Sequence, residues 1–170
     1  MKHVLFAALL WLAVPVAGMA GSQGFAVHDT PQDMPEVRFV TEDGTRKILD
    51  AFHGKVILLN IWATWCPPCV KEMPTLDALQ ADLGSTKFQV VTLSIDTGGV
   101  PVVRKFFDKV GIKHLTMYVD QTMLSYTNLR IIGLPTTMIV DANGKELARI
   151  VGPATWNDPG MEAFLKTYIK

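Results

Sequence analysis

Residues 55–83 read KVILLNIWATWCPPCVKEMPTLDALQADL, and this stretch decides the fold. Its opening run, 55–62, is almost continuously apolar with no alternation, which marks a strand buried on both faces of a sheet. From Pro67 onward Val70, Met73, Leu76, Leu79 and Leu83 recur at helical spacing, and Gly84 stops the pattern. The same order then repeats. Residues 88–95, FQVVTLSI, read as a second buried strand, and residues 100–110, ended by Gly111, as a second amphipathic helix. Strand, helix, strand, helix predicts right-handed crossovers and an α/β sheet.

Outward from this centre the signals are shorter. Residues 36–40 and 45–49 flank the turn signal Glu42-Asp43-Gly44 and predict a β-hairpin. Residues 116–119 form a weak strand, 121–129 a short helix and 135–140 a further strand. Asp141-Ala142-Asn143-Gly144 then turns into a strand over 145–151, with Asn-Gly at the tip favouring positive φ angles. Residues 160–169 close the chain as a helix with Met161, Phe164, Leu165 and Tyr168 on one face, and Met73, Met117 and Met138 fall at core positions. The expected architecture is a three-layer sandwich: a central mixed β-sheet with helices on both faces and an N-terminal β-hairpin extension, spanning 36–170.

The chain has 170 residues, 49% hydrophobic and 19% charged, with 16 basic and 16 acidic side chains. That balance excludes disorder and a basic nucleic-acid surface, so no nucleic-acid partner is expected. Residues 1–20 stand apart: a short basic start, the apolar run 4–14, and Gly18-Met19-Ala20 with small residues where a signal peptidase cuts. Residues 1–20 read as a signal peptide or as an uncleaved membrane anchor, the uncharged stretch being long enough to span ~30 Å of hydrocarbon. Both readings place the domain in the periplasm or otherwise outside the cytoplasm. Residues 21–35, with two prolines and scattered polar groups, read as a leader or tether.

The chemistry lies in Trp65-Cys66-Pro67-Pro68-Cys69, where the buried strand ends and the helix begins. Cys66 falls at the helix N-terminus, where unpaired N–H groups and the macrodipole favour a thiolate. Pro67 and Pro68 fit there because first-turn N–H groups have no intrahelical partner, and their rigidity fixes the approach of the two sulfurs. A stapling disulfide is a poor explanation, since a four-residue ring gives only about 2 kcal/mol of loop entropy against ~4.7 for a hundred-residue loop. A structural zinc wants four ligands, and this chain offers two cysteines plus His3, His28, His53 and His114 at no ligand spacing. The pair suits reversible dithiol–disulfide exchange, with no metal and no cofactor.

Asn60 to Pro74, NIWATWCPPCVKEMP, together with Gly133-Leu134-Pro135-Thr136-Thr137, resembles the exported thioredoxin-like proteins of the TlpA-like branch, which includes ResA-like and cytochrome-maturation thiol reductases. The similarity runs from about Pro35 to the C-terminus. It implies a thioredoxin-like fold and a redox-active Cys66–Cys69 disulfide, with Cys66 attacking and Cys69 resolving the mixed disulfide. It makes Pro135 a cis proline facing the pair and leaves the backbone of Leu134 to pair with a substrate strand. Trp65, Pro67 and Pro68 join Leu134 and Pro135 as the expected substrate contacts, Trp65 as a lid over the disulfide. Pro74 matches the proline that bends the active-site helix. Asn60 lies where thioredoxin carries a buried acid, so that proton route is absent. Glu72 matches a carboxylate that ResA-like reductases place near the pair, where it would raise the resolving thiol's pKa and carry its proton; the competing reading is a solvated helix residue.

The resemblance implies a protein-disulfide reductase acting on apocytochrome c or copper-site cysteines and recharged by a membrane electron donor. An oxidising compartment demands such an outside supply. Two alternatives stand beside it. One is a disulfide-forming oxidase, which would be expected to carry a large helical insertion that residues 99–129 are too short to supply. The other is a Cu(I) delivery protein using both thiolates, with His114 as the nearest third ligand. His53 and His114 otherwise read as structural or solvent-facing, Trp62 as core, and Trp156 as packing ahead of the last helix.

Overall fold

The computed structural model describes residues 22–169. The expected signal peptide or anchor, residues 1–20, lies outside the described residues. In chain order the elements are β1 (Ala26–Asp33), β2 (Arg38–Thr41), β3 (Arg46–Ile48), a 3-10 turn (Leu49–Phe52), β4 (Val56–Trp62), α1 (Pro67–Leu83), β5 (Phe88–Ser94), α2 (Val100–Val110), β6 (Tyr118–Val119), α3 (Leu124–Asn128), β7 (Thr136–Val140), β8 (Lys145–Val151) and α4 (Pro159–Lys166). The strands form one mixed sheet in the order β1-β8-β7-β4-β5-β6-β2-β3.

β4 occupies the centre, parallel to β5 and antiparallel to β7, and all seven of its residues are buried. That enclosure is why its sequence shows no alternation. Asn60 and Trp62 point to the face covered by α1 and α2. Asn60 meets Glu72 on α1, and Trp62 packs on Phe106 and Phe107 of α2. The opposite face carries Ile57, Leu59 and Ile61, and is closed by an aromatic cluster of Phe39, Phe52 and Tyr118 supplied by the hairpin, the 3-10 turn and β6. Each large apolar side chain taken fully out of water contributes about 1.5–3 kcal/mol. Met73, Met117 and Met138 are all buried.

α2 starts and stops where the sequence places it, because Gly111 adopts a left-handed φ of 74° and its N–H closes on the Phe107 carbonyl. The hairpin of β2 and β3 forms as expected, and β2 adds to the sheet through β6. α4 ends at Lys166, three residues short of the expected helix. The turn between β7 and β8 differs from expectation in one respect: Gly144 alone takes a positive φ, 78°, and Asn143 does not. Asp141 explains the difference, since its Oδ1 accepts the N–H groups of Asn143 and Lys145 while its carbonyl accepts that of Gly144.

The leader or tether expected over 21–35 is corrected by β1, which pairs antiparallel with β8 at the edge of the sheet. Seven of its eight side chains are exposed, so no apolar alternation announces it. The register shifts between Val27 and Gln32, across Pro31, which has no N–H to give to a ladder. Backbone pairing with a ready partner strand makes this segment part of the sheet.

Candidate active site

The cysteine pair sits where β4 delivers the chain into α1. Cys66 is the N-cap residue, in extended conformation, and its Sγ accepts the N–H of Cys69 at 3.3 Å. Pro67 and Pro68 fill the first helical positions. Cys66 and Cys69 are joined in a disulfide with Cα atoms 5.3 Å apart, and both are buried. With no N–H on Pro67 or Pro68, the Cys69 N–H and the positive end of a 17-residue helix are what face the Cys66 sulfur.

The approach to Cys66 is fixed from below by β5. Asp96, buried just past the end of that strand, accepts the Thr64 N–H at 2.9 Å and the Thr64 hydroxyl at 2.7 Å. The Ser94 hydroxyl adds a third hydrogen bond at 2.7 Å. Thr64 is thus clamped one residue before Trp65, which projects 63% exposed beside the disulfide-bearing turn.

Glu72 lies one helical turn after Cys69 and is buried, which excludes a solvated helix residue. Its Oε1 accepts the Asn60 amide at 2.9 Å, and its Oε2 accepts the Ala154 N–H and the Trp156 indole N–H, each at 3.0 Å. Burial pushes the Glu72 carboxyl above its ordinary value, against the pull of the three donors. Asn60 also donates to the Thr137 hydroxyl at 2.8 Å. Asn60 of β4 thus holds a buried acid that stands on α1.

Across the sheet the Leu134–Pro135 peptide is cis, and Thr136 pairs with Ile61 of β4, so Pro135 lies at the same end of the sheet as the cysteines. Its carbonyl accepts the Gly152 N–H at 2.8 Å. Among the described residues the backbone N–H and C=O of Leu134 have no backbone partner.

The model of the family described as Redoxin matches residues 30–165. The chain belongs to the Redoxin family. It is a ResA-like thiol-disulfide oxidoreductase with a thioredoxin-like fold. It is 28% identical over 168 residues to the thiol-disulfide oxidoreductase ResA of Bacillus thuringiensis subsp. konkukian (strain 97-27), covering 93% of this chain and 95% of that one. It is 31% identical over 115 residues to the thioredoxin-like protein YneN of Bacillus subtilis (strain 168), covering 66% of each. Among solved structures, a putative thiol:disulfide interchange protein DsbE from Chlorobium tepidum superposes with a TM-score of 0.73 at 26% identity, over 84% of this chain and 99% of that one.

Within this Redoxin domain the sequence-predicted residues sort as follows. Cys66, Cys69, Pro67 and Pro68 share one helical turn, Pro67 exposed and Pro68 half-buried. Leu134 is half-buried and Pro135 buried. His114 is committed elsewhere: its Nδ1 lies 3.1 Å from Asp77 Oδ2 on α1, and among the described residues no three His, Cys, Asp or Glu side chains converge as metal ligands. His53 lies 3.9 Å from Asp50 on the surface. Trp156 does pack, as expected, but it is also a hydrogen-bond donor to Glu72, a role the sequence reading missed. The tie from Asp96 to Thr64 was missed outright, and so was the exposure of Ile132, three residues before Pro135, and of Val151, paired with Thr136 just after it, at 85% and 46%. Asn60 did carry a signal: a lone amide inside an apolar strand needs a buried partner.

Proposed function

We propose that this oxidoreductase is an exported protein-disulfide reductase with Cys66 as its nucleophile. The observation that carries the reading is the placement of Cys66 Sγ at the helix N-cap, accepting the Cys69 N–H, with Cys69 enclosed behind it. The Cys66 thiolate attacks one sulfur of a client disulfide; a Cys66–client disulfide forms and the client's other sulfur leaves as thiolate. Glu72 takes the proton from Cys69, whose thiolate then displaces the second client sulfur and closes the Cys66–Cys69 disulfide. The client gains two electrons and, from solvent and Glu72, two protons. A dithiol donor in the membrane returns two electrons to the pair.

Trp65, Pro67, Pro68, Leu134 and Pro135 contact the client, with the unpaired backbone of Leu134 aligning an extended segment. The clients are apocytochrome c or copper-site proteins carrying a disulfide. Residues 1–20 export the chain or anchor it. The helices between β5 and β7 are α2 and α3, of 11 and 5 residues, too short for a large helical insertion, which favours reductase over oxidase.

Cysteine variants and the equilibrium potential together test this reading. Cys69→Ala accumulates a mixed disulfide with a model disulfide client, and Cys66→Ala traps nothing and turns nothing over. Trapping through Cys69 in the Cys66→Ala protein reverses the assignment. A potential near or below about −230 mV supports a reductase, whereas a value near about −120 mV turns the reaction around.

A further inference from the structure

The segment ahead of β1 carries a side chain into the support of the site. Phe25, 4% exposed, meets the Trp156 ring edge-on with centroids 6.1 Å apart and packs against Phe164 at 5.5 Å. Trp156 is fully enclosed and bonded at two points to the turn that bears Glu72. Its indole N–H reaches Glu72 Oε2, and its backbone N–H reaches the Thr75 hydroxyl at 3.2 Å, which in turn donates to the Glu72 carbonyl at 2.7 Å. One face of the indole is therefore seated by the entering chain while its polar edge is aimed at the carboxylate.

The groups that face the Glu72 carboxylate are all neutral. β4 contributes Asn60, backed by Thr137 of β7, and the segment between β8 and α4 contributes the Ala154 N–H and Trp156; on α1 itself Cys69 is the i−3 neighbour of Glu72. No lysine, arginine, histidine or second acid hydrogen-bonds or ion-pairs with it among the described residues. Three neutral donors alone support the charge, and the indole is one of the two that hold Oε2.

We propose that Trp156 is a positioning residue for the exchange reaction: seated by Phe25, its indole N–H holds the Glu72 carboxylate in its charged form beside Cys69. The proposal rests on the reading of Glu72 as the proton carrier of the resolving cysteine. Removing the indole donor leaves a buried carboxylate with less support, so a smaller fraction of it is charged at mildly acid pH. At alkaline pH the carboxylate is charged either way, and Cys69 loses its proton to solvent.

The test uses the full chain loaded with glutathione on Cys66, and follows decay of that mixed disulfide by acid quench and mass spectrometry at pH 6 and pH 9. Glu72→Gln slows decay at pH 6 and approaches the parent rate at pH 9. Trp156→Phe, which keeps the ring and removes the N–H, slows decay at pH 6 by about three-fold or more and leaves the pH 9 rate unchanged. Adding Trp156→Phe to Glu72→Gln has no further effect at pH 6. An unchanged pH 6 rate in Trp156→Phe, or an equal slowing at both pH values, overturns the proposal while the Glu72→Gln result stands by itself. If Glu72→Gln decays like the parent at both pH values, the Glu72 reading fails and the proposal falls with it. Should Trp156→Phe not fold, Phe25→Leu, which loosens the seat, gives a smaller slowing confined to pH 6, and no slowing there overturns the proposal.

Discussion

Asn60 holds Glu72 with the same amide nitrogen that holds Thr137, at 2.9 and 2.8 Å, so one side chain ties the cysteine-bearing helix to the strand that follows the cis proline. Its Oδ1 has no protein partner among the described residues. Asn60→Asp replaces a neutral donor with a second carboxylate against Glu72, and two buried acids at that distance share a proton. The folded pair then binds protons more tightly than the unfolded chain does. Its stability is therefore greatest below the ordinary carboxylate range and is lost as pH rises. Urea unfolding of Asn60→Asp is expected to show about 2–4 kcal/mol less stability at pH 8 than at pH 4, relative to the parent. A difference that is flat with pH removes Asn60 from contact with the acid.

How much of this was legible in the sequence depended on whether the cause was local. The β4–α1–β5 unit could be read because burial on both faces leaves a continuous apolar run and the helix keeps its own spacing. The cysteine pair could be read because a helix N-terminus is a local fact. The surroundings of Glu72 could not, since its donors stand 12, 82 and 84 residues away in the chain. β1 was hidden for a different reason. An edge strand held by its backbone to β8 needs no apolar alternation, and Phe25, its one deeply buried neighbour, is a single residue without a period. Asp77 was silent because a carboxylate that serves mainly backbone N–H groups needs no partner side chain to give it away, and Asp96 because Thr64, which gives it two hydrogen bonds, lies 32 residues earlier in the chain.

Asp96 fixes the chain just ahead of Cys66, and its loss is expected to reach both stability and rate. Asp96→Ala strips the acceptor from the Thr64 N–H, the Thr64 hydroxyl and the Ser94 hydroxyl. Buried donors left without partners cost about 1–3 kcal/mol each where water cannot replace the acceptor, so a total of about 2–3 kcal/mol is expected from urea denaturation. Thr64→Val removes only the hydroxyl donor and costs about 1 kcal/mol. Because Trp65 and Cys66 follow directly on Thr64, exchange with a disulfide client slows in Asp96→Ala under conditions where the variant is fully folded. Parent-like exchange in the folded variant would leave Asp96 with a purely structural task.

Asp77 joins α1 to the segment after α2, and it supplies a pH dependence of opposite sign to that of an Asn60→Asp variant. Its carboxylate accepts the backbone N–H groups of Lys113, His114 and Leu115, at 3.1, 2.7 and 3.0 Å, besides meeting the His114 ring. Burial pushes its carboxyl up, but these hydrogen bonds outweigh burial and hold it below the ordinary value of 3.8. A carboxyl depressed in the folded state contributes stability above its unfolded value, and that contribution is lost as pH falls through the folded one. Asp77→Ala is expected to cost about 2 kcal/mol at pH 7, mostly through the buried N–H of Leu115, since Lys113 and His114 reach solvent. The gap to the parent narrows below about pH 4, as the parent's own carboxylate takes up its proton. His114→Ala, at a half-exposed ring, costs less than about 1 kcal/mol. Chemical denaturation at pH 7 and pH 3 checks all of this, and an Asp77→Ala deficit of equal size at both pH values would show that the carboxylate's charge has no part in holding the two helices together.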